Sequence, residues 1–311
     1  MRDGVATRSA VPVVPAMDAV PTMDAVPTMD EVLSQAGQEN FPVASRVLPR
    51  ADRAHLMAIY GFARLTDDIG DEAGGDRLAL LDWLDGELDR AAAGRATHPV
   101  LRRLTPTIVD RQLPLEPFRA LIEANRQDQT VHRYRTFDDL VGYCMLSAAP
   151  VGQLVLAVMG LATPERVALS DRVCIGLQVV EHLQDVAEDA GRDRVYLPQD
   201  DLAAAGCGEG TLTAATAGPA LREVVAREVG RTRPLLAAGG PLARTLPLRA
   251  RLAVAGFAAG GMAALDAVER AGYDVLAVPC RPRPARFGRR LVATLLRPTP
   301  AGRLPGRGGP S

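Results

Sequence analysis

Apolar residues recur every three or four positions along most of the chain between residues 30 and 280, which is the spacing of one helix face. In residues 51–72, for example, Leu56, Ile59, Tyr60 and Ile69 follow this period. Runs that alternate β-branched or aromatic residues with polar ones between hairpin turns are almost absent from the sequence. The pattern therefore predicts an all-α, single domain over 30–280, with helices at 51–72, 118–128, 137–161, 164–189, 221–236 and 248–270.

The two ends of the chain break this pattern. Residues 1–29 repeat a short unit, Ala-Val-Pro-x-Met-Asp, whose prolines disfavour helix, so a disordered low-complexity extension is predicted there. Residues 281–311 hold eight arginines and no acidic residue. Within this tail Phe287, Leu291 and Leu295 are spaced by four. The tail fits either a basic amphipathic helix on an anionic membrane surface or a soluble proline-rich segment.

Composition narrows the class of protein further. The 311 residues carry a formal net charge of −1 and only 4% aromatic residues, which argues against a nucleic-acid partner. The four cysteines form no CxxC pair, and the first thirty residues contain no continuous apolar segment of the kind found in secretory signals. We therefore expect a cytoplasmic protein.

Two acidic clusters are the most informative feature. Asp67 and Asp71 are four residues apart, with Arg64 one turn earlier, and Asp185 and Asp189 repeat the spacing. One such pair is usually a solvated helix face, but two pairs on apolar helices are harder to explain in that way. Carboxylates of this kind suit Mg²⁺, which binds a few of them together with substrate phosphates and water. The sequence predicts a Mg²⁺ cluster that holds a diphosphate, with Arg64 as a further contact.

The second cluster continues as a polar stripe through Glu181 and Gln178 on a helix otherwise rich in Val and Leu. His182 is interpreted as a packing or surface histidine, because its direction differs from that of Asp185. The two acidic clusters would form an acidic rim at the opening of a cavity with apolar walls. Such a cavity suits ionisation of an allylic diphosphate, because its walls enclose a long hydrocarbon and exclude water from the carbocation.

These residues resemble the squalene/phytoene synthase family. The resemblance rests on the two DxxxD motifs, Asp67–Asp71 and Asp185–Asp189, and on segments around Tyr60–Arg64, Tyr143, Pro150–Gly152, Gln178 and Arg194–Pro198. It implies an isoprenoid-synthase-type helical barrel around an apolar cavity, with Mg²⁺ on the four motif aspartates. It also implies that Arg64 contacts the diphosphate and that Tyr143 lines the cavity near it as a catalytic residue. Asn40, Gln178 and Arg194 are the further predicted substrate-binding residues.

More narrowly, residues 39–45 and 123–128 resemble the hopanoid-pathway branch. The implied reaction converts presqualene diphosphate into hydroxysqualene with release of diphosphate. The implied pathway partners are a presqualene diphosphate synthase and a flavoprotein desaturase, and a greasy substrate implies at least transient contact with the inner membrane surface. Members that join two prenyl diphosphates usually have lysine at the position of Glu39 and asparagine at that of Glu181. Glu181 is therefore a second catalytic candidate, as an extra Mg²⁺ ligand or as a base that orients water, although a structural pairing with an arginine is equally compatible.

Three alternatives stay open from the sequence. The first is head-to-head condensation of two farnesyl or geranylgeranyl diphosphates. The second is a catalytically silent assembly partner, against which the four intact aspartates argue. The third is a head-to-tail elongase, because residues 67–71 also match DDxxD; the second cluster does not repeat it, since Val186 follows Asp185.

Overall fold

The structure is a computed structural model that describes residues 50–277 and 284–296. The predicted 1–29 extension, Glu39 and Asn40 lie outside the described residues. In the described part the chain forms no strand and follows the order α1 Arg50–Asp71, α2 Arg77–Ala92, α3 Pro99–Arg111, α4 Glu116–Gln127, α5 Phe137–Ser147, α6 Ala149–Val158, α7 Pro164–Gln184, α8 Val186–Gly191, α9 Gln199–Ala204, α10 Pro219–Ala237, α11 Gly239–Arg244, α12 Leu248–Arg270 and α13 Pro284–Leu296. The all-α prediction is confirmed.

Short polar side chains fix where several helices begin. Thr136 forms a capping box with Asp139: the Thr136 hydroxyl accepts from the Asp139 N–H, and the Asp139 carboxylate accepts from the Thr136 N–H. At the start of α7 the Thr163 hydroxyl accepts from the Arg166 N–H, and at the start of α2 the Asp76 carboxylate accepts from the Ala79 N–H. These side chains satisfy N–H groups that no helical carbonyl reaches, and so they set the first turn of each helix.

Two helices that the sequence predicted as continuous are each broken. The predicted helix 137–161 is interrupted at Ala148, because Pro150 has no N–H to continue the ladder from α5 into α6. The predicted helix 164–189 ends at Gln184, and Asp185 departs from helical geometry with φ −107° and ψ 13°. Asp185 and Asp189 therefore do not lie on one uninterrupted helix. The Asp189 N–H still donates to the Asp185 carbonyl at 2.8 Å, which keeps the pair one turn apart.

Within the described residues the helices pack into two large apolar clusters and two smaller ones. One large cluster joins α1–α4 and α6 and is centred on Phe62 and Phe118, whose rings meet edge to face at 5.1 Å. Burial of each such ring contributes about 1.5–3 kcal/mol. The other large cluster joins α5, α7, α10 and α12. The first acidic motif lies on α1, which packs in the first cluster, and the second follows the end of α7, which packs in the other.

The tail helix α13 packs against α12 and α11. Leu291 and Leu295 are half-buried in this contact, whereas Phe287 and Val292 stay 38% and 54% exposed. The apolar stripe that the sequence suggested for a membrane is therefore used in part by the protein itself.

Two stretches of the described chain are long and apolar enough to cross a membrane by length and composition alone. They are Phe137–Val158, which contains α5 and α6, and Leu248–Arg270, which is α12. Most of the apolar window of α12 is buried against its neighbours, as in the core helix of a soluble protein.

Candidate active site

The first acidic pair lies on the last turns of α1. The Asp67 carboxylate is reachable by solvent but surrounded by protein, and this poor hydration raises its pKa to about 7. A hydrogen bond from Asn125 Nδ2 at 3.2 Å lowers the pKa, and the nearby charge of Asp71 raises it. Two acidic groups held together in this way favour a cation between them.

Arg194 links the first motif to the segment that follows the second. Its Nη2 atom contacts Asp71 Oδ1 at 2.7 Å. Burial lowers the pKa of the Arg194 guanidinium, but the hydrogen bond and charge of Asp71, together with the charges of Tyr196 and Asp128, raise the pKa overall. This contact therefore joins two residues that are 123 positions apart along the chain.

Arg64 points to a neighbouring pair of acids. Its Nη2 atom lies 2.7 Å from Asp68 and 3.5 Å from Glu72. Its Nε atom is buried and has no hydrogen-bond partner in the described structure, so the side chain retains an unused donor. Contact of Arg64 with a diphosphate stays a prediction.

The second acidic pair adjoins His182, which the sequence predicts to be a packing or surface histidine. His182 packs with its ring stacked on Tyr196, centroids 3.7 Å apart. Its Nδ1 atom lies 3.8 Å from an Asp189 oxygen, and its Nε2 atom lies 3.3 Å from the Gln178 amide. Burial and the charge of Asp189 raise the pKa of Asp185. His182 is thus a packing residue, as expected, but it packs within the site.

Tyr143 meets an aspartate that motif spacing did not reveal. The Tyr143 hydroxyl donates to Asp128 Oδ2 at 2.8 Å, and Asp128 Oδ1 is buried without a hydrogen-bond partner in the described structure. Burial raises the pKa of Asp128 to about 6, and Arg194 lowers it. Tyr134 and Tyr196 lie beside Tyr143 with tilted rings, their centroids 5.2 and 5.7 Å away. Asp128 could not be found from spacing because it follows α4 singly, without a second carboxylate in register.

Glu181 is exposed on α7, one turn before Asp185, whose N–H donates to the Glu181 carbonyl at 3.0 Å. Its negative charge contributes to the raised pKa of both Cys144 and Cys174, although burial is the main cause for each thiol. Cys174 also lines an apolar cavity of about 170 Å³ between α1, α6, α7 and α12. The cavity lining is otherwise apolar except for Ser170, and includes Leu56, Val155, Leu177, Leu246 and Phe257. Glu181 therefore lies beside the second acidic pair, and its charge reaches a thiol that lines the apolar cavity.

The contacts join the two motifs into one continuous chain. Asp71 binds Arg194, Tyr196 follows two residues later and stacks on His182, and His182 adjoins Asp189. Of the predicted site residues, Asn40 lies outside the described part. Contacts through His182 and Tyr196 connect five of the others, namely Asp71, Tyr143, Gln178, Asp189 and Arg194. Asp67 and Asp185 lie one turn from Asp71 and Asp189, Glu181 lies one turn before Asp185, and Arg64 pairs with Asp68 and Glu72.

The residues present fit a magnesium ion with an anionic ligand. The donors are carboxylate oxygens, which are the hard ligands that Mg²⁺ prefers. Within residues 50–277 and 284–296, no three Asp, Glu, His or Cys side chains are already gathered at ligand distance.

A larger recess of about 520 Å³ lies beneath α13. Arg172, Arg244 and Arg290 line it together with apolar residues, and none of the predicted site residues does. It is separate from the acidic site.

Comparison with solved structures defines the class of protein as an all-α isoprenoid synthase. Squalene synthase HpnC from Alicyclobacillus acidocaldarius superposes with a TM-score of 0.74 at 42% identity, over 81% of this chain and 98% of that one. The family model "Squalene/phytoene synthase" matches residues 34–297. The chain belongs to the squalene/phytoene synthase family, and it is an enzyme of isoprenoid biosynthesis.

Two curated relatives differ in the activity that they are named for. Hydroxysqualene synthase of Rhodopseudomonas palustris is 40% identical over 210 residues, which cover 66% of this chain and 70% of the relative. Phytoene synthase of Arthrospira platensis is 34% identical, with 63% and 68% covered. The family is thereby established, while the choice of product has to be argued from the site.

Proposed function

We propose that the protein converts presqualene diphosphate into hydroxysqualene, with Mg²⁺ and with release of diphosphate. The observation that carries the proposal is the position of Glu181, an exposed carboxylate one turn before Asp185 whose charge reaches Cys174, a thiol that lines the apolar cavity. A carboxylate there suits a reaction that ends with capture of the cation by water, because it accepts hydrogen bonds from water. The relative named hydroxysqualene synthase at 40% identity supports the same choice.

In this proposal Asp67, Asp71, Asp185 and Asp189 hold Mg²⁺. The ion would supply positive charge that neutralises the departing diphosphate. Arg194 already bridges to Asp71, and its remaining N–H groups would bind phosphate oxygens together with those of Arg64. Gln178 would donate its amide to the same anion. These groups are fixed before the substrate arrives, which lowers the cost of reorganisation during ionisation.

The hydrocarbon would occupy the apolar cavity and the space leading from it to the acidic rim. The cavity of about 170 Å³ is smaller than the roughly 300–1,000 Å³ of typical ligand sites, so a C30 chain needs both spaces. Tyr143, Tyr196 and His182 would form the wall next to the reacting carbon, where aromatic faces stabilise positive charge. Glu181 would orient one water molecule toward the cation while the apolar wall excludes others.

The test is product analysis by gas chromatography–mass spectrometry. Purified protein with Mg²⁺ receives presqualene diphosphate in one tube and farnesyl diphosphate in another, neither with NADPH. We expect hydroxysqualene from the first tube and no product from the second. Consumption of farnesyl diphosphate would instead establish the condensing activity, and absence of diphosphate release from either tube would leave only an assembly role.

Head-to-head condensation of two farnesyl or geranylgeranyl diphosphates is the second candidate. It is supported by the relative named phytoene synthase at 34% identity and by the same two DxxxD motifs. The two candidates differ in the number of diphosphates bound at once. Inorganic diphosphate titrated calorimetrically with Mg²⁺ should bind with a stoichiometry of one per chain for presqualene diphosphate conversion.

We further propose that the enzyme works in the cytoplasm, against the inner membrane surface. It would take its substrate from a separate presqualene diphosphate synthase and deliver hydroxysqualene to a flavoprotein desaturase. Both molecules are long hydrocarbons with little solubility in water, so transfer at a membrane surface avoids their exposure.

A further inference from the structure

A buried amide contacts the first acidic motif from the neighbouring helix. Asn125 on α4 is 7% exposed, and its Nδ2 atom donates both to Asp67 Oδ1 at 3.2 Å and to its own helix at the Leu121 carbonyl at 3.1 Å. The second bond fixes the orientation of the amide, so the first bond is aimed at one carboxylate oxygen of Asp67.

The amide reaches α1 only because residue 70 has no side chain. A Cβ atom at Gly70 would lie 2.0 Å from Asn125 Oδ1 and 2.9 Å from its Cγ, which is far inside any allowed contact. Glycine within a helix is unfavourable compared with alanine, so its presence here calls for a packing reason. The close approach of Asn125 provides that reason.

The same corner is held by further hydrogen bonds. Gln129 Nε2 donates to the Gly70 carbonyl at 3.0 Å and to the Asn125 carbonyl at 2.9 Å. Arg77 Nη1 also donates to the Gly70 carbonyl, at 3.0 Å. The end of α1 is therefore clamped to α4 at the turn that carries Asp67, and the amide is positioned with it.

We propose that Asn125, admitted by Gly70, is a positioning residue that holds the Asp67 carboxylate in the orientation needed to bind the metal–diphosphate complex. The inference rests on the proposed metal-binding role of Asp67. Partners that orient a ligating carboxylate typically change metal affinity by about 10- to 100-fold when they are removed. Asn125 itself touches neither metal nor substrate.

The experiment measures binding of Mn²⁺, as a spectroscopic substitute for Mg²⁺, in the presence of inorganic diphosphate. Free Mn²⁺ is quantified by electron paramagnetic resonance for wild type, Asn125→Ala, Gly70→Ala and the double variant. We expect Asn125→Ala to weaken Mn²⁺ binding about 10- to 100-fold. Gly70→Ala should weaken it similarly, because the added methyl group displaces the amide.

The double variant provides the decisive comparison. Once the amide is gone, the methyl group at residue 70 has nothing to displace, so Gly70→Ala/Asn125→Ala should bind Mn²⁺ no more weakly than Asn125→Ala. Effects that multiply in the double variant would overturn the proposal. The melting temperature of each variant is measured alongside. If Gly70→Ala does not fold, the Mn²⁺ affinity of Asn125→Ala relative to wild type tests the proposal by itself.

Two control variants are matched to these changes. Gln153→Ala removes another amide that donates to a carboxylate, that of Asp171 at 3.0 Å on α7. Gly61→Ala adds a methyl group on the same helix where the nearest atom, Val100 Cγ1, is a comfortable 3.7 Å away. Both should leave Mn²⁺ affinity within twofold of wild type.

Asp67→Asn separates failure of this inference from failure of the proposed metal site. If Asp67→Asn weakens Mn²⁺ binding and Asn125→Ala does not, Asn125 has no positioning role. If neither variant changes Mn²⁺ binding, Asp67 is not a ligand and the proposed metal site is wrong as well.

Discussion

The side chains of the site are held by partners on other segments of the chain. Asp67 is bound by Asn125, Asp71 by Arg194, and Tyr143 by Asp128. Each contact joins two helices or a helix and a following loop, so the site depends on the packing of the fold. At the residue scale, function is therefore tested by changes that keep the shape and remove the charge or the hydrogen bond.

Replacement of the motif aspartates by asparagine should abolish most of the activity. Asp67→Asn and Asp185→Asn each keep the side-chain shape but remove an anionic oxygen, and we expect kcat/KM to fall about 100-fold or more. The measurement is diphosphate release as a function of Mg²⁺ concentration. Asp110→Asn, an exposed carboxylate on α3, is the control and should leave the rate unchanged. Near-normal rates for the two motif variants would contradict the assigned metal site.

Glu181→Gln tests the proposed role of Glu181 in orienting a water molecule toward the cation. The amide keeps the size of the side chain but is a poorer acceptor for a proton from water. We expect a lower rate and a smaller ratio of alcohol to hydrocarbon in the products, read by mass spectrometry. If both the rate and the ratio stayed at wild-type values, Glu181 would have a structural role only.

At the scale of elements, breaks and glycines matter as much as the helices themselves. The end of α7 at Gln184 turns the chain so that α8 carries Asp189 beside His182. On α1, Gly70 lets α4 come close enough for Asn125 to bond with Asp67. Both features shape the site through the backbone, and a continuous ideal helix would not reproduce them.

A buried carboxylate on α10 makes the stability of that element depend on pH. Glu228 is 1% exposed and lies beside Arg231 and Asp201. Burial raises its pKa from 4.5 to about 7, Arg231 lowers it, and the charge of Asp201 raises it further. The folded protein therefore holds a proton there that the unfolded chain releases above its own lower pKa, so this group makes the fold less stable as pH rises from 4.5 through about 7.

Glu228→Gln removes that titration. Relative to wild type, the variant should gain about 2–3 kcal/mol of unfolding free energy on going from pH 5 to pH 8. Urea unfolding at several pH values measures the difference. Glu223→Gln, an exposed change on the same helix, is the control. A difference between wild type and Glu228→Gln that is the same at both pH values would show that Glu228 does not titrate in this range.

At the scale of the whole molecule, the apolar cavity and the basic tail lead us to expect that the protein binds a membrane surface, where a water-insoluble substrate is available. We expect the protein to sediment with vesicles that contain anionic phosphatidylglycerol and to be released by about 0.5 M salt, since screening weakens the attraction of arginines to the lipid. Phe287→Ser/Val292→Ser should weaken the association, because both side chains are exposed on α13. Leu78→Ser/Val109→Ser, which changes two equally exposed apolar residues elsewhere, should not. Equal loss in both pairs would assign the association to general hydrophobicity rather than to α13.

The sequence by itself determined the all-α class, most of the helices and the two acidic motifs. Periodicity is local information: a helix face repeats every three to four residues whatever the rest of the chain does. The same holds for Asp67 with Asp71 and for Asp185 with Asp189, because one helical turn brings each pair together. Family resemblance added the class of reaction, which the comparisons confirm at the level of the family.

Only the tertiary structure decided which distant residues complete the site. Asn125 and Arg194 carry no local spacing that marks them as partners of Asp67 and Asp71, from which they are 58 and 123 residues away. They meet the first motif because other parts of the chain, α4 among them, pack against α1. The break at Asp185 was likewise invisible to periodicity, since the apolar pattern continues across it. Contacts between residues more than fifty positions apart depend on the packing of whole helices, and no repeat along the chain encodes them.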